Sequence, residues 1–482
     1  MTGSMPLSTI IALARAGALD HAWAQFCAAG HDRAGEDPAA LTVKGRLLKD
    51  HALRATDEGS RRRYYLQSAE CYRASAALQP ATYPLINAAT LSLLSGDRPR
   101  AEEIAREVLE RIAREPDEPE TPYYKAATEA EALLLLGRRD EARATLEAAV
   151  AAAPLAWEDH ASTLRQFQVI EDALGGEKAW LDLLRPLRSL HFAVDKDTGP
   201  KPGDTAADVV GVGFGFGALA AGAELLTAEA LLAGGAQLHV VLASDPEHFA
   251  ARFVDPFGGD WRERFDAALA AAESVRCVRP LDRAPDAVAV ALADGIAHGA
   301  ALLNAERLMG EAVHAHPPGT AALPGLALLA IRVDDSGSGF EAQLGEVRDA
   351  LAAAGAPALA PYLAGETVLI GYPDCGAAAA AARSVHAQLR DRLPAQIAAH
   401  YGLIDLVRDP FSAAVRPAGS GVEIAEAIAG ASPPGSICVS DDFAAVHAVG
   451  GGQSEANWIG EIQAFDGGPA IGLYALKPIA DS

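Results

Sequence analysis

Residues 208–242 read DVVGVGFGFGALAAGAELLTAEALLAGGAQLHVVL, and the middle of the chain is organised around them. Val209–Val212 reads as a short apolar strand. From about Ala218 to Leu232 the apolar residues at 219, 223, 226 and 230 share one helical face, and Leu238–Leu242 reads as a second strand. Gly213, Gly215 and Gly217 fall between the first strand and the helix. A glycine turn at the carboxyl end of a parallel strand lets a ligand reach backbone N–H groups and a positive helix end, which is the chemistry of phosphate binding. The spacing departs from G-x-G-x-x-G, because Phe216 stands where the third glycine should be, and no Lys-Ser/Thr follows as in a P-loop. Close strand–helix packing with no ligand is the other reading of the same glycines.

Outward from this unit, His191–Val194 reads as a preceding strand and the Lys/Gly/Pro run before Asp208 as a loop. Downstream come a helix at Trp261–Ala272, strands at Ser274–Cys277 and Ala287–Val290, and a helix at Gly295–Arg307. Strands alternating with helices argue for a parallel sheet with helices on both faces. His314, Pro317 and Pro318 read as a linker.

Residues 7–185 read as helix pairs. Leu7–Ala16 closes at Gly17 before Leu19–Ala28; the pattern returns around Gly96-Asp97 and again around Gly137-Arg138, with Pro154 after the second helix. A small turn residue, an alanine packed beneath it and a closing proline are tetratricopeptide features, although the glycines at 96 and 137 are wider apart than the usual ~34 residues. One such unit cannot bury its own apolar face, so several stack, and the concave side normally takes a protein or peptide. After Pro324, an apolar strand, a helix at Phe340–Ala353, a hairpin in APALAPYLAGETVLIGYP, a helix at Ala377–Leu393, a strand at Ala398–Asp405, a helix at Gly421–Ala429 and a last strand at Ala470–Leu476 suggest a ferredoxin-like α+β core.

Composition narrows the function. A net charge of −24 over 482 residues argues against a nucleic-acid surface, which needs a basic stripe. Five scattered cysteines with no C-x-x-C pair read as a reduced, cytoplasmic set, neither a disulfide frame nor a zinc site. No apolar run approaches ~20 residues free of Gly, Pro or charge, so no membrane span is expected. The histidines form no H-E-x-x-H, and His314-x-His316 beside prolines reads as loop, so no metal ligand is assigned.

Three resemblances sharpen this. AECYRASAALQPATYPLINAATLSLLSGD at 69–97, with Tyr83-Pro84-x-x-Asn87-Ala88-Ala89 its most specific part, resembles the TRAFs-binding helical region of apoptosis signal-regulating kinases and their bacterial relatives. The run from Gly213 through VVL resembles the middle domain of bacterial tetratricopeptide proteins that carry that region, itself similar to nucleotide-sensing Rossmann-like families. Their motif is G-x-x-x-x-G-[AS]-D-x-x-x-x-E; here Glu224 replaces the Asp and Glu229 is kept. IAAHYGLIDL, then AVRPAGSGVEIAEAIAGASPPGSICVSDDFAA, then WIGEIQAFDGGPAIGLYAL resemble the second half of class III nucleotidyl cyclase domains.

The cyclase resemblance implies two metal-holding Asp residues on adjacent strands, an Asn/Arg pair for ribose and developing phosphate charge, and a base-reading Lys. Arg332 stands at the first Asp place, with Asp334 and Asp335 just beyond; Glu366 stands at the second; Glu423 and Ala427 replace the Asn/Arg pair, and Phe465 the Lys. Losing one charge-stabilising group costs about 10²–10³ in rate. The chain therefore reads as multidomain: an all-α tetratricopeptide/TRAFs-binding-type array (1–186), an α/β Rossmann-like parallel sheet (187–316) and an α+β ferredoxin-like pseudo-cyclase domain (324–478). The expected function is a non-catalytic, cytoplasmic signalling scaffold that binds a protein partner and dimerises through the pseudo-cyclase. A nucleotide ligand would be held by Gly213, Gly215, Gly217, Glu224 and Glu229. An active cyclase, with a register shift bringing Asp334 inward, is the alternative.

Overall fold

The computed structural model describes residues 5–477 apart from 115–120, 194–198, 279–283, 316–322, 334–338, 391, 394, 411–412, 453–454 and 465–469. The chain divides into two compact units, Met1–Pro186 and Leu187–Asp481. Expectations that fall on His316, Pro317, Pro318, Asp334, Asp335 and Phe465 lie outside the described residues.

The first unit is a run of antiparallel helices: α1 (Leu7–Arg15), α2 (Leu19–Ala28), α3 (Pro38–Arg54), α4 (Glu58–Leu78), α5 (Thr82–Ser95), α6 (Arg98–Arg114), α7 (Pro122–Leu135), α8 (Arg139–Ala152) and α9 (Trp157–Leu174). The repeat is written in its helix ends. After α5, Gly96 takes φ +96 and the Asp97 N–H bonds the Ser92 carbonyl; after α7, Gly137 takes φ +74 and Arg138 N–H bonds Leu133. Both are Schellman closures, in which the left-handed residue frees the chain to turn back. Asp37 and Asp57 cap α3 and α4 by accepting backbone N–H bonds. Inside, the buried Glu131 carboxylate of α7 accepts from Thr90 of α5 (2.5 Å) and Gln166 of α9 (2.9 Å), so one polar group ties three helices. Tyr65 and Tyr72 of α4 are buried, whereas Tyr83 of α5 is half exposed.

The second unit opens with a five-stranded, all-parallel sheet in the order β4-β3-β2-β1-β5, formed by β1 (Arg188–Phe192), β2 (Val212–Gly217), β3 (Gln237–Leu242), β4 (Ser274–Cys277) and β5 (Ala312–His314). Its helices are α10 (Ala223–Ala233), α11 (Pro246–Phe253), α12 (Trp261–Ala271) and α13 (Ala287–Leu308). The strand order reverses between β1 and β5. Two expectations are corrected here. Residues 287–290, expected as a strand, open α13, because Asp286 accepts the Ala289 N–H (2.7 Å) and starts a helix in a sequence that alternates like a strand. The expected linker around 314 holds an edge strand instead. α13 is the one described helix long and apolar enough to cross a membrane, with a mean hydropathy of 1.4 over its best window, of which 61% is buried against the fold.

The second sheet has seven strands in the order β13-β14-β12-β9-β6-β8-β7. They are β6 (Leu326–Arg332), β7 (Leu359–Ala364), β8 (Thr367–Tyr372), β9 (Gln396–Gly402), β12 (Ile437–Ser440), β13 (Ala456–Gln463) and β14 (Ala470–Leu476); β10 (Asp405–Arg408) and β11 (Val415–Ala418) form a separate two-stranded ribbon. Helices α14 (Phe340–Ala352), α15 (Cys375–Leu389), α16 (Ser420–Ala431) and α17 (Asp441–His447) complete it. Leu328 and Ala330 of β6 pack beneath Ala425 and Ile428 of α16, while the alternate Ala327, Leu329 and Ile331 are also fully buried. A central strand covered on both faces reads as a continuous apolar run, as LALLAI does.

Candidate functional site

The glycines expected to form a turn lie within a strand. Gly213, Gly215 and Gly217 belong to β2, which pairs with β1 on one side and β3 on the other, so the ladder runs along both its edges and no phosphate cradle forms there. What requires glycine is proximity. A Cβ at 213 would sit 2.7 Å from Leu187, at 215 2.3 Å from Leu231 Cδ1, and at 217 2.3 Å from the Phe192 carbonyl oxygen. Glycine at every second residue faces one side of a strand, and here that side receives α10 and β1 side chains. The packing reading of the motif is the one the geometry supports.

The loop after β2 is 218–222, and its residues are buried. Glu224 Oε2 accepts the Ala220 N–H (2.9 Å), closing the loop onto the first turn of α10. Gly222, at φ +107, lies against Asp204 and Pro200, so the chain's own 200–207 segment covers the start of that helix. Glu229 is held by both forks of Arg264 from α12 (2.7 and 2.6 Å). Both expected ligand carboxylates are therefore engaged within the domain.

A different group of side chains meets at the reversal of strand order, where open parallel sheets leave a crevice beyond the strand ends. His191 near the end of β1 stands in register with His314 of β5. Asp294 and His298, one turn apart on α13, reach the same place: His191 Nε2 is 3.1 Å from Asp294 Oδ1, the His191 and His298 rings stack at 5.1 Å, and the His298 and His314 rings meet edge-on at 4.5 Å. His191 is 2% exposed, and its Nδ1, like that of His314, is buried with no hydrogen-bond partner among the described residues. Burial, then the two neighbouring imidazoles, pulls His298 down to about 4; burial, then His191, lowers His314. His191 is more than a hundred residues from the other three, and only the Asp294/His298 spacing was visible in the sequence.

In the second sheet Arg332 and Glu366 do meet. Arg332 ends β6 opposite Thr367, and its Nη2 lies 2.8 Å from Glu366 Oε2 in the β7–β8 turn. A guanidinium paired to a carboxylate thus occupies the strand-end position where the sequence resemblance implies two metal-holding carboxylates. Gly430 of α16 leaves room beside it, since a Cβ there would fall 2.9 Å from Arg332 Nη1. Among the described residues no group of three His, Cys, Asp or Glu side chains is arranged to hold a metal ion.

A third polar group joins the two sheets of this unit. Arg276 of β4 pairs with Asp441 and, at 3.2 Å, with Asp442, the first two residues of α17. His400 of β9 bonds Ser440 Oγ (2.9 Å), which caps α17 by accepting the Phe443 N–H. Burial pushes Asp442 up to about 6 against the pull of Arg276, and burial pulls His400 down to about 4 against Asp441; His239, half-buried, falls to about 4 through partial desolvation.

These shifts set a pH dependence. An imidazole held below its usual 6.5 stays neutral in the fold while the unfolded chain takes up a proton, so its contribution is present above about 6.5 and lost as pH falls toward about 4. Asp442 runs the other way, its contribution being present below about 4 and lost as pH rises through about 6. Among the described residues the lowered imidazoles, His239, His298 and His400 foremost, and the lowered carboxylates Asp57, Glu141, Asp245 and Glu455 outweigh the raised Asp50, Glu131, Glu306, Glu426 and Asp442, so stability is expected to fall on acidification from about pH 7 to about pH 4.5. Urea midpoints across that range check it, and His400→Gln should flatten the slope; a midpoint that rises on acidification would contradict the assignment.

Comparison with known proteins adds the following. Residues 8–92 match the family model described as Tetratricopeptide Repeats-Sensor. None of the curated proteins compared matches the chain. Similar solved structures include an adenylate/guanylate cyclase/hydrolase from Silicibacter pomeroyi (20% identity, 32% of this chain and 97% of that one, TM-score 0.26). The adenylyl cyclase CyaB from P. aeruginosa (14%, 32% and 93%, 0.25) and an adenylate cyclase from Trypanosoma brucei (12%, 32% and 87%, 0.25) are also among them.

Proposed function

We propose that this chain is a non-catalytic signalling scaffold of three domains, with boundaries near 1–186, 187–316 and 324–478: a tetratricopeptide/TRAFs-binding-type array for a protein partner, a Rossmann-like sensing domain and a pseudo-cyclase domain. The observation that carries the reading is the Arg332–Glu366 pair. In-line phosphoryl chemistry on two metals needs convergent carboxylates; a fixed guanidinium at one of the two places repels a divalent cation and uses the neighbouring carboxylate. The strand order β9-β6-β8-β7 with α14 and α15 as crossovers supports a ferredoxin-like core. Tetratricopeptide helices are protein-binding modules, and the reduced cysteines fit a cytoplasmic setting. In this proposal nucleotide sensing belongs to the loop after β2 and requires displacement of the 200–207 segment.

Homodimerisation is the testable part of the scaffold role. The β10–β11 ribbon exposes Leu406 (54%), Val407 (51%) and Val415 (43%), and beside it the edge strand β7 exposes Leu363 (46%). An apolar edge of this kind is normally covered, and a two-fold contact through it should bury more than about 1,000 Å². Light scattering at micromolar concentration is expected to give a dimer that Leu406→Asp converts to monomer. A wild-type monomer would remove dimerisation from the account.

A further inference from the structure

We propose that the face on which the first helices of successive pairs meet, opened by Tyr83, Tyr124 and Leu53 and carrying Arg46 and Lys49, docks an acidic linear segment of a partner protein. The inference rests on the reading of the helical array as a protein-binding module and names the kind of partner.

The array keeps one register. Lys49 of α3, Thr90 of α5 and Glu131 of α7 follow one another in steps of 41 residues, as do Tyr83 and Tyr124. Thr90 and Gln166 both donate to Glu131, so α5, α7 and α9 turn this line toward one another, and Lys49 and Glu131 attract each other along it. Residues four or seven apart on a helix share a face. Tyr83 and Tyr124 therefore lie two turns before Thr90 and Glu131 on that face, and Leu53 one turn after Lys49. The Tyr124 hydroxyl donates to Asp159 of α9 (2.7 Å), which agrees with the placement. The line is deep at Thr90 and Glu131, which are buried, and open at Tyr83 (50% exposed), Tyr124 (39%) and Leu53 (64%).

Charge selects the partner. Arg46 and Lys49 are partly buried, yet among the described residues neither has a hydrogen-bond or ion-pair partner; Asp50 and Glu131 attract Lys49 only from beyond ion-pair distance. Burial lowers Lys49 and raises Asp50 and Glu131, as expected of charged groups withdrawn from water without close partners. A cation in that position is costly, and a carboxylate brought by another chain satisfies it with a charge-assisted hydrogen bond. The helix that carries both cations agrees in sign: α3 holds Lys44, Arg46, Lys49 and Arg54 against Asp50, in a chain whose net charge is −24. A basic stripe on an acidic protein favours an acidic partner and repels another copy of the chain. The fitting segment places Asp or Glu against Arg46 and Lys49 and an apolar side chain against Tyr83 or Leu53, tyrosine and arginine being the residues that most often anchor such contacts.

The test presents the purified full chain to an array of immobilised random peptides about a dozen residues long, and measures the selected ones by calorimetry. Peptides rich in Asp and Glu with an interspersed Leu, Ile or Phe are expected, and their binding should weaken as salt is raised. Arg46→Met and Lys49→Met keep the apolar stem and remove the charge; each should weaken the best peptide about tenfold with the circular-dichroism spectrum unchanged. Arg106→Met, on the exposed side of α6 and paired to Glu102, removes the same charge and should leave the affinity as it was. Selected peptides with no acidic bias, or acidic peptides indifferent to Arg46→Met and Lys49→Met, would overturn the proposal and leave the array a protein-binding module. No peptide bound at all would overturn that reading as well, and ATP or inorganic phosphate bound in its place through Arg46 and Lys49 would give the face to a small anion instead.

Discussion

Gly299→Val is expected to destabilise the second unit by about 3 kcal/mol, the upper end of what overpacking costs. Gly299 lies on α13 where it crosses α17, and a Cβ there would fall 1.9 Å from the Ala445 carbonyl oxygen and 2.3 Å from its carbon. Both are backbone atoms inside a helix, so no rotamer change relieves the clash and the two helices must separate. Ile296 and Ala297 of α13 and Ala444 and Ala445 of α17 are buried, and parting the helices exposes apolar surface. Gly345 on α14 is the control: nothing lies within 4 Å of its would-be Cβ, so Gly345→Ala should be neutral or stabilising by up to about 1 kcal/mol through helix propensity. Urea unfolding of both variants checks the pair. A Gly299→Val midpoint equal to that of the wild type would mean that the crossing is looser than described.

Arg276→Ala is expected to cost about 2–4 kcal/mol. Removing one partner of a buried ion pair costs roughly 3–5 kcal/mol because the other charge is left desolvated; Arg276, Asp441 and Asp442 keep between 22% and 29% of their side-chain exposure, which lowers the figure. The variant leaves two adjacent carboxylates facing each other at the start of α17. Asp442, already raised by burial, would rise further, so the loss should be larger at pH 8 than at pH 5. The sign follows from linkage: the fold of the variant holds a proton that the unfolded chain gives up. Thermal or urea unfolding at the two pH values measures it, and Asp442→Asn in the same background should recover part of the loss. A loss larger at pH 5 would contradict this account of the triad.

How much of this was legible in the sequence depended on whether a local pattern had one physical cause. The left-handed glycines at 96 and 137 were readable because a helix followed by Gly and a polar residue has few other outcomes, and β6 was readable because LALLAI is an uninterrupted buried run. The glycines at 213, 215 and 217 were ambiguous. Glycine every second residue marks a flexible turn when nothing packs on it and a close-packed strand when Leu187, Phe192 and Leu231 do, and those contacts are tertiary. AVAVALA at 287–293 alternates like a strand, and Asp286 as a cap decided for helix. Arg332 and Glu366 were singled out only because a resemblance put them in equivalent places; that the end of β6 lies against the β7–β8 turn is tertiary. The His191/His298/His314 cluster had no local signal beyond Asp294 and His298 one helical turn apart, since register between β1 and β5 brings the rest together.

In the proposed function, the Arg332–Glu366 pair stands where a cyclase would hold its metal ions. Incubation of the pure full chain with ATP or GTP and Mn²⁺, followed by chromatographic detection of cyclic nucleotide, tests it most directly. The account predicts no product above the level of a heat-denatured control. Cyclic nucleotide formed by the wild type and lost on Glu366→Ala would contradict it.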